Sequence, residues 1–203
     1  LALTGKGIGL AEKSDLIVNG TGVEVKADNG RKKSRSGGRM IATAGYGNAV
    51  TAKMAMYKTM IELGVPNDLL AKFNWPKKIK GVVPPRGGLN YNPSGIANFN
   101  EYIAPYLKEE GTKKVLASMV GGLYTEMPDD MASNFINAVG ADGTINAAQS
   151  IIELTVMAYA YYQKQEGHDC IMVFNTKNGD FVIINSGDEV RELMTPYGKA
   201  ELN

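Results

Sequence analysis

Asp15-Leu-Ile-Val-Asn-Gly-Thr-Gly-Val-Glu-Val-Lys-Ala27 decides the fold class. Two β-branched runs flank Asn19-Gly20, the dipeptide that most favours a two-residue type I′ hairpin because both of its residues tolerate positive φ. The stretch predicts two antiparallel strands. Side chains alternate along a strand, so Glu24 and Lys26 share one face and Val23 and Val25 take the other. Asp15 opens the partner strand, and the tight turn folds its carboxylate back towards Glu24 across the pair.

Working outward, Cys170-Ile-Met-Val-Phe174 and Phe181-Val-Ile-Ile184, joined through Thr-Lys-Asn-Gly, predict a second hairpin. Its first strand has no polar alternation and is expected to be central. Before it, Asn146 is placed to cap a helix running to about Gln165, apolar nearly all round and therefore expected to be buried against the sheet. Between the two strand pairs the text is helical. A pattern from Ala49 to Leu63 stops at Gly64 and Pro66, Asn67 or Asp68 can cap a short helix, and further helices are expected over Asn98–Glu109, Lys113–Tyr124 and Asp129–Val139. Trp75 to Gly95 holds four of the eight prolines and is expected to be a connection. A short helix and a tail are expected from Gly187 to Asn203. The expected fold is α/β (α+β): a small mixed sheet built from residues 1–39 and 141–203, with residues 40–140 as a large helical insertion.

Composition narrows the chemistry. Twenty-two Lys plus Arg against 21 Asp plus Glu leave a formal charge of +1, so any electrostatic recognition must be local. One cysteine and one histidine exclude an internal disulfide and a Cys/His zinc cage made by this chain alone. No stretch approaches the length of a bilayer span and no secretory h-region opens the chain, so a soluble, intracellular protein with no membrane partner is expected. The first residue is Leu rather than Met, as in a processed chain or part of a longer one.

The convergence of Asp15, Glu24 and Lys26 is the candidate catalytic centre. Two carboxylates and the Val25 carbonyl are hard oxygen donors suited to Mg²⁺, with Mn²⁺ as a substitute, in a site that keeps several waters. Such an ion polarises a phosphoryl oxygen and acidifies water, and Lys26 is placed to orient that water or to neutralise developing phosphorane charge. The competing reading is an exposed cross-strand ion pair worth about a few tenths of a kcal/mol. With 21 acids and 17 lysines, about two acid-x-Lys triplets are expected by chance, and Glu24-Val25-Lys26 is the single one present.

Ser14-Asp15 followed by Glu24-Val25-Lys26 resembles the signature of the PD-(D/E)XK nuclease superfamily, with Ser14 in place of the proline. Gly-Val-Glu-Val-Lys-Ala-Asp-Asn-Gly-Arg also looks like small nuclease-like proteins of tailed bacteriophages. The resemblance covers roughly residues 10–30 and 146–185. It implies a restriction-endonuclease-like order of helix, three strands, helix, strand, and Mg²⁺-dependent hydrolysis of DNA, in the host cytoplasm or associated with a virion. It also implies a helix before Asp15, for which the first fourteen residues, with Glu12 as their one acid, leave little room. The alternative is a virion structural or assembly protein that keeps this fold and uses its insertion, rich in Met and Tyr, for homo-oligomer or virion contacts.

Arg31, Lys32, Lys33, Arg35 and Arg39 follow the triplet in a glycine- and serine-rich run without an acid, which is expected to be a surface loop that neutralises nucleic-acid phosphates. Gln149 and Glu153, one helical turn apart, are secondary candidates near the metal; Tyr91 and Arg86 are candidates for substrate contact. Tyr159, Tyr161 and Tyr162 with Met157 read as packing, His168 as a turn residue, and Cys170 as an inert buried thiol. Gly5-Lys6-Gly7-Ile8-Gly9 matches neither the dinucleotide fingerprint nor the P-loop.

Overall fold

The computed structural model describes residues 8–9, 14–28, 46–73, 91–124, 129–175 and 179–200. Among these are strands β1 (Ile8–Gly9), β2 (Leu16–Val18), β3 (Thr21–Asp28), β4 (Cys170–Asn175) and β5 (Phe181–Ile184). The helices are α1 (Tyr46–Glu62), α2 (Asn67–Lys72), α3 (Pro93–Tyr102), α4 (Ala104–Leu123), α5 (Asp129–Ile136), α6 (Ala147–Glu166) and α7 (Gly187–Ala200). The chain divides into two compact units, Leu1–Thr43 with Thr155–Met194 and Ala44–Leu154 with Thr195–Asn203.

In the first unit the strands lie in the order β1-β2-β3-β4-β5, giving a mixed α/β fold. Asn19 (φ 51°) and Gly20 (φ 85°) make the predicted turn, and β2 pairs antiparallel with β3 from Leu16↔Val23 to Val18↔Thr21. β4 runs parallel to β3, from Val23↔Cys170 to Asp28↔Asn175, a pairing that the long connection between them allows. β5 closes the predicted second hairpin, with Ile171↔Ile184 and Phe174↔Phe181 as its outer pairs. β4 is therefore interior, and Ile171 (0% exposed) and Val173 (9%) are core residues. The edge strand β5 keeps Phe181, Val182 and Ile183 exposed.

Asn146 caps α6 as predicted, its Oδ1 accepting from Gln149 N–H at 3.1 Å. Ser186 caps α7 in the same way, accepting from Glu189 N–H at 3.2 Å, while the Glu189 carboxylate accepts from Asn185 N–H at 2.8 Å. These two bonds, from Asn185 N–H and to Ser186 Oγ, start a 14-residue helix, longer than the short one expected.

The second unit packs α1 along α4. A Cβ on Gly122 would lie 2.7 Å from Ala52 N, so only glycine admits this approach of the two backbones. Phe73 joins Tyr57 at 6.1 Å and Phe99 at 5.6 Å in an aromatic cluster beside Met56, Met60 and Leu116, all buried. Three sequence expectations shift here. The break expected between Glu109 and Lys113 falls just before it, at a kink where Lys108 takes φ 57°, and a further break stands at Ile103, because Pro105 is tolerated in the first turn of α4. The connection expected to reach Gly95 gives way at Pro93, where Asn92 Oδ1 accepts from Gly95 N–H at 2.9 Å and starts α3. Neither Asn67 nor Asp68 caps α2; Pro66 holds the N-cap position without a side-chain bond.

Candidate active site on the β3 face

The site is set by how β3 is anchored. Gly167 (φ 67°) turns the chain out of α6, and Asp169 then clasps Gly22: Gly22 N–H donates to Asp169 Oδ2 at 2.7 Å and Asp169 N–H donates to the Gly22 carbonyl at 2.8 Å. A Cβ on Gly22 would meet Ser14 Oγ at 3.2 Å and Asp169 Oδ2 at 3.5 Å, so glycine allows this closeness. The clasp fixes the β3–β4 register, which sets Glu24 beside Ile171 and Lys26 beside Val173 on one face of the sheet.

On that face Glu24 is buried, 7% exposed, and Lys26 is partly buried. Lys26 Nζ lies 2.5 Å from Glu24 Oε1. The Tyr162 hydroxyl, from α6, donates to the same Oε1 at 2.6 Å and accepts from Lys26 Nζ at 2.6 Å, while the ammonium sits 4.4 Å from the ring centroid. The His168 ring packs against Tyr162 at 5.3 Å between centroids. Burial by itself would raise the Glu24 pKa; hydrogen bonds from Lys26 and Tyr162, with the charges of Lys26 and His168, outweigh it and hold the carboxyl below its usual value. Burial would likewise lower Lys26, and the bonds to Glu24 and Tyr162 reverse that and raise it. The pair is an ion pair at neutral pH, and it is not the exposed one that the sequence alternative supposed.

Asp15 precedes Leu16, whose partner is Val23, so it falls opposite Glu24 in the register. It is exposed, and its Oδ2 accepts from Val25 N–H at 2.8 Å. Both carboxylates thus use one oxygen in hydrogen bonds, Oδ2 in Asp15 and Oε1 in Glu24. Asp15 Oδ1 and Glu24 Oε2 are the oxygens these bonds leave over. Among the described residues no three His, Cys, Asp or Glu side chains gather to hold a metal ion. Two carboxylates are fewer donors than a protein cage for Mg²⁺ needs, so any ion held there would take its remaining ligands from water or substrate.

Tyr162 is the residue that sequence reasoning assigned to packing and the structure brings into the site. Tyr159 and Tyr162 stand one turn apart on α6, and the Tyr159 hydroxyl donates to the Ile184 carbonyl at 3.3 Å; two hydroxyls on the helix face that covers a strand bearing Glu-x-Lys were the available signal. Tyr91 is buried with its ring 5.5 Å from Phe135, so the sequence-based assignment to substrate contact is corrected: an apolar core claims it. Gln149 and Glu153 belong to the second unit, where Gln149 lines a cleft of about 780 Å³ with Asn100 and Asn137. His168 lies between α6 and β4 as expected, and Cys170 is buried, which raises its pKa. Arg31, Lys32, Lys33, Arg35, Arg39 and Arg86 lie outside the described residues.

No family model, curated protein or solved structure matches this chain. Among the described residues no helix is long and apolar enough to cross a membrane.

Proposed function

We propose that the chain is a Mg²⁺-dependent phosphodiesterase of the PD-(D/E)XK type acting on DNA, with Asp15, Glu24 and Lys26 as its catalytic residues. One observation carries the reading: Glu24 and Lys26 converge on one face of β3, and Asp15, just before β2, accepts from the Val25 N–H between them. The succession of antiparallel strands β1-β2-β3, helix α6 and parallel strand β4 supports it, because it follows the order implied by the resemblance after that order's first helix. A two-residue strand, Ile8–Gly9, stands before Asp15.

Asp15, Glu24 and the Val25 carbonyl would hold the ion. Bound there, Mg²⁺ supplies polarisation of a phosphoryl oxygen and a more acidic water. The Lys26 ammonium stays charged and faces the same space, so it can orient the attacking water and oppose charge building on the phosphoryl oxygens. Hydrolysis consumes one water: its oxygen bonds to phosphorus, a bridging P–O bond breaks, one proton passes to the departing oxygen and the other to solvent. The basic residues Arg31, Lys32, Lys33, Arg35 and Arg39 would neutralise backbone phosphates beside the site. The test is cleavage of plasmid and linear DNA with and without Mg²⁺ or Mn²⁺. Asp15→Ala and Lys26→Ala are each expected to lose about 10²–10³-fold in rate, the scale of removing one preorganised electrostatic group; variants as active as wild type overturn the assignment.

A second reading, a virion structural or assembly protein with this fold and little catalysis, is favoured by one feature. The Glu24 carboxylate is buried and already bound by Lys26 and Tyr162, as in a structural ion pair. Its partners would be copies of the chain or other virion components meeting the helical unit. A large ring by light scattering, with no cleavage and no Mg²⁺ binding, would select it.

A further inference from the structure

Glu24 and Lys26 are two residues apart on a strand, and nothing in strand geometry makes such long side chains meet at one point. Each has several rotatable bonds, and ordering them costs side-chain entropy that their attraction must offset together with the loss of hydration. The group that fixes both comes from another element. Tyr162 O–H donates to Glu24 Oε1 and its oxygen accepts from Lys26 Nζ, both at 2.6 Å, the one-donor and one-acceptor capacity of a phenol used at once. The ring backs the ammonium at 4.4 Å and is itself backed by His168. Because both donors bind Oε1, the Glu24 carboxylate is oriented with Oε2 turned to other uses.

We infer that Tyr162 is a positioning residue of the hydrolytic site: its hydroxyl sets where the Lys26 ammonium sits and which Glu24 oxygen is left for the divalent ion. The inference rests on the reading of this cluster as the active site. Tyr162 acts through its two partners and needs no contact with DNA.

Tyr162→Phe keeps the ring and removes both hydrogen bonds. With wild-type protein cleaving DNA, the variant is expected to lose about 10–100-fold in kcat with little change in KM for DNA, the pattern of an interaction that serves the transition state. The same substitution in a Lys26→Ala background is expected to cost less than about threefold, since its effect runs through the lysine. A purely structural tyrosine would cost as much in either background. In metal-free protein without DNA, the Lys26 side-chain ammonium is expected to give a protected NMR signal that Tyr162→Phe broadens, a readout independent of cleavage. Unchanged kcat, an equal loss in both backgrounds, or an unchanged ammonium signal overturns the inference and leaves the nuclease reading standing. Wild-type protein that cleaves no DNA under any metal overturns both, and it is distinguished by failing before any variant is made.

Discussion

β3 and β4 run side by side and parallel, yet they carry opposite chemistry on the face that Tyr162 of α6 reaches. β4 offers Ile171 and Val173, buried hydrocarbon on a strand that asks only for volume to be filled. β3 offers Glu24 and Lys26 at the adjoining positions, two charges that leave water only if every polar atom finds a partner. α6 sends one hydroxyl to each side: that of Tyr162 reaches β3, and that of Tyr159 reaches the Ile184 carbonyl at the end of β5. The contrast teaches that stability alone does not account for Glu24 and Lys26: a buried ion pair is on balance no better for stability than well-packed hydrocarbon of the same size, such as Ile171 and Val173 beside it.

The largest expected effect is on the hydrocarbon side. Ile171 is fully buried, and Ile171→Ala is expected to destabilise the first unit by about 2–4 kcal/mol through lost transfer energy and the cavity left behind. Denaturant unfolding followed by a probe in the sheet reads this directly; a cost well under 1 kcal/mol would mean that α6 collapses onto β4 and that the strand is not the rigid member of the pair. On the polar side, Lys26→Met strands Glu24 with only the Tyr162 hydroxyl, and an expected loss of about 1–3 kcal/mol follows, reduced from the fully buried case because the lysine is partly exposed. Glu24→Leu with Lys26→Leu removes both charges together and is expected to lie within about 1 kcal/mol of wild type, or above it. If the double variant instead unfolds as easily as Lys26→Met, the pair is structural, the contrast with β4 dissolves, and the scaffold reading gains.

The same contrast explains what the amino-acid text could reveal. Asn19-Gly20 between β-branched runs is a local signal, since positive φ at two successive residues has few solutions, and the hairpin follows. The uninterrupted apolar run at Cys170–Phe174 likewise announces an interior strand. Glu24 and Lys26 were legible as neighbours because period-two alternation puts them on one face without tertiary knowledge. Tyr162 was not, because a helix position says nothing about which strand residue its side chain will reach. That depends on Gly167 and on the Asp169–Gly22 clasp, 147 residues apart in sequence. Tyr91 was misassigned for the complementary reason: a tyrosine next to proline and glycine resembles an exposed loop residue until Phe135 is known to cover it. The break at Ile103 was missed because Pro105 ends a helix when it is interior but is accepted when it opens one.

The smallest effect expected is also the most direct reading of the ion pair's charge. Glu24 in the folded chain lies below its usual 4.5, so its contribution to stability is complete above pH 4.5 and is lost as pH falls through the folded value. Lys26 lies above its usual 10.5, so its contribution is complete below pH 10.5 and is lost as pH rises through the folded value. The difference in Tm between wild type and the Glu24→Leu, Lys26→Leu double variant should therefore be flat across the interval between those two pH values and should move against wild type at both ends. Taking the difference cancels the other carboxylates and lysines, which titrate alike in both proteins. β4 serves as the control within the same sheet: Ile171→Val replaces no ionisable group, so its Tm deficit should stay constant over the whole range. A double-variant difference that stays level well below pH 4.5 would show that folding leaves the Glu24 pKa where it is in the unfolded chain, whereas one that changes between pH 4.5 and neutrality would show a carboxyl protonated in the folded protein, with no charge with which to hold a divalent ion.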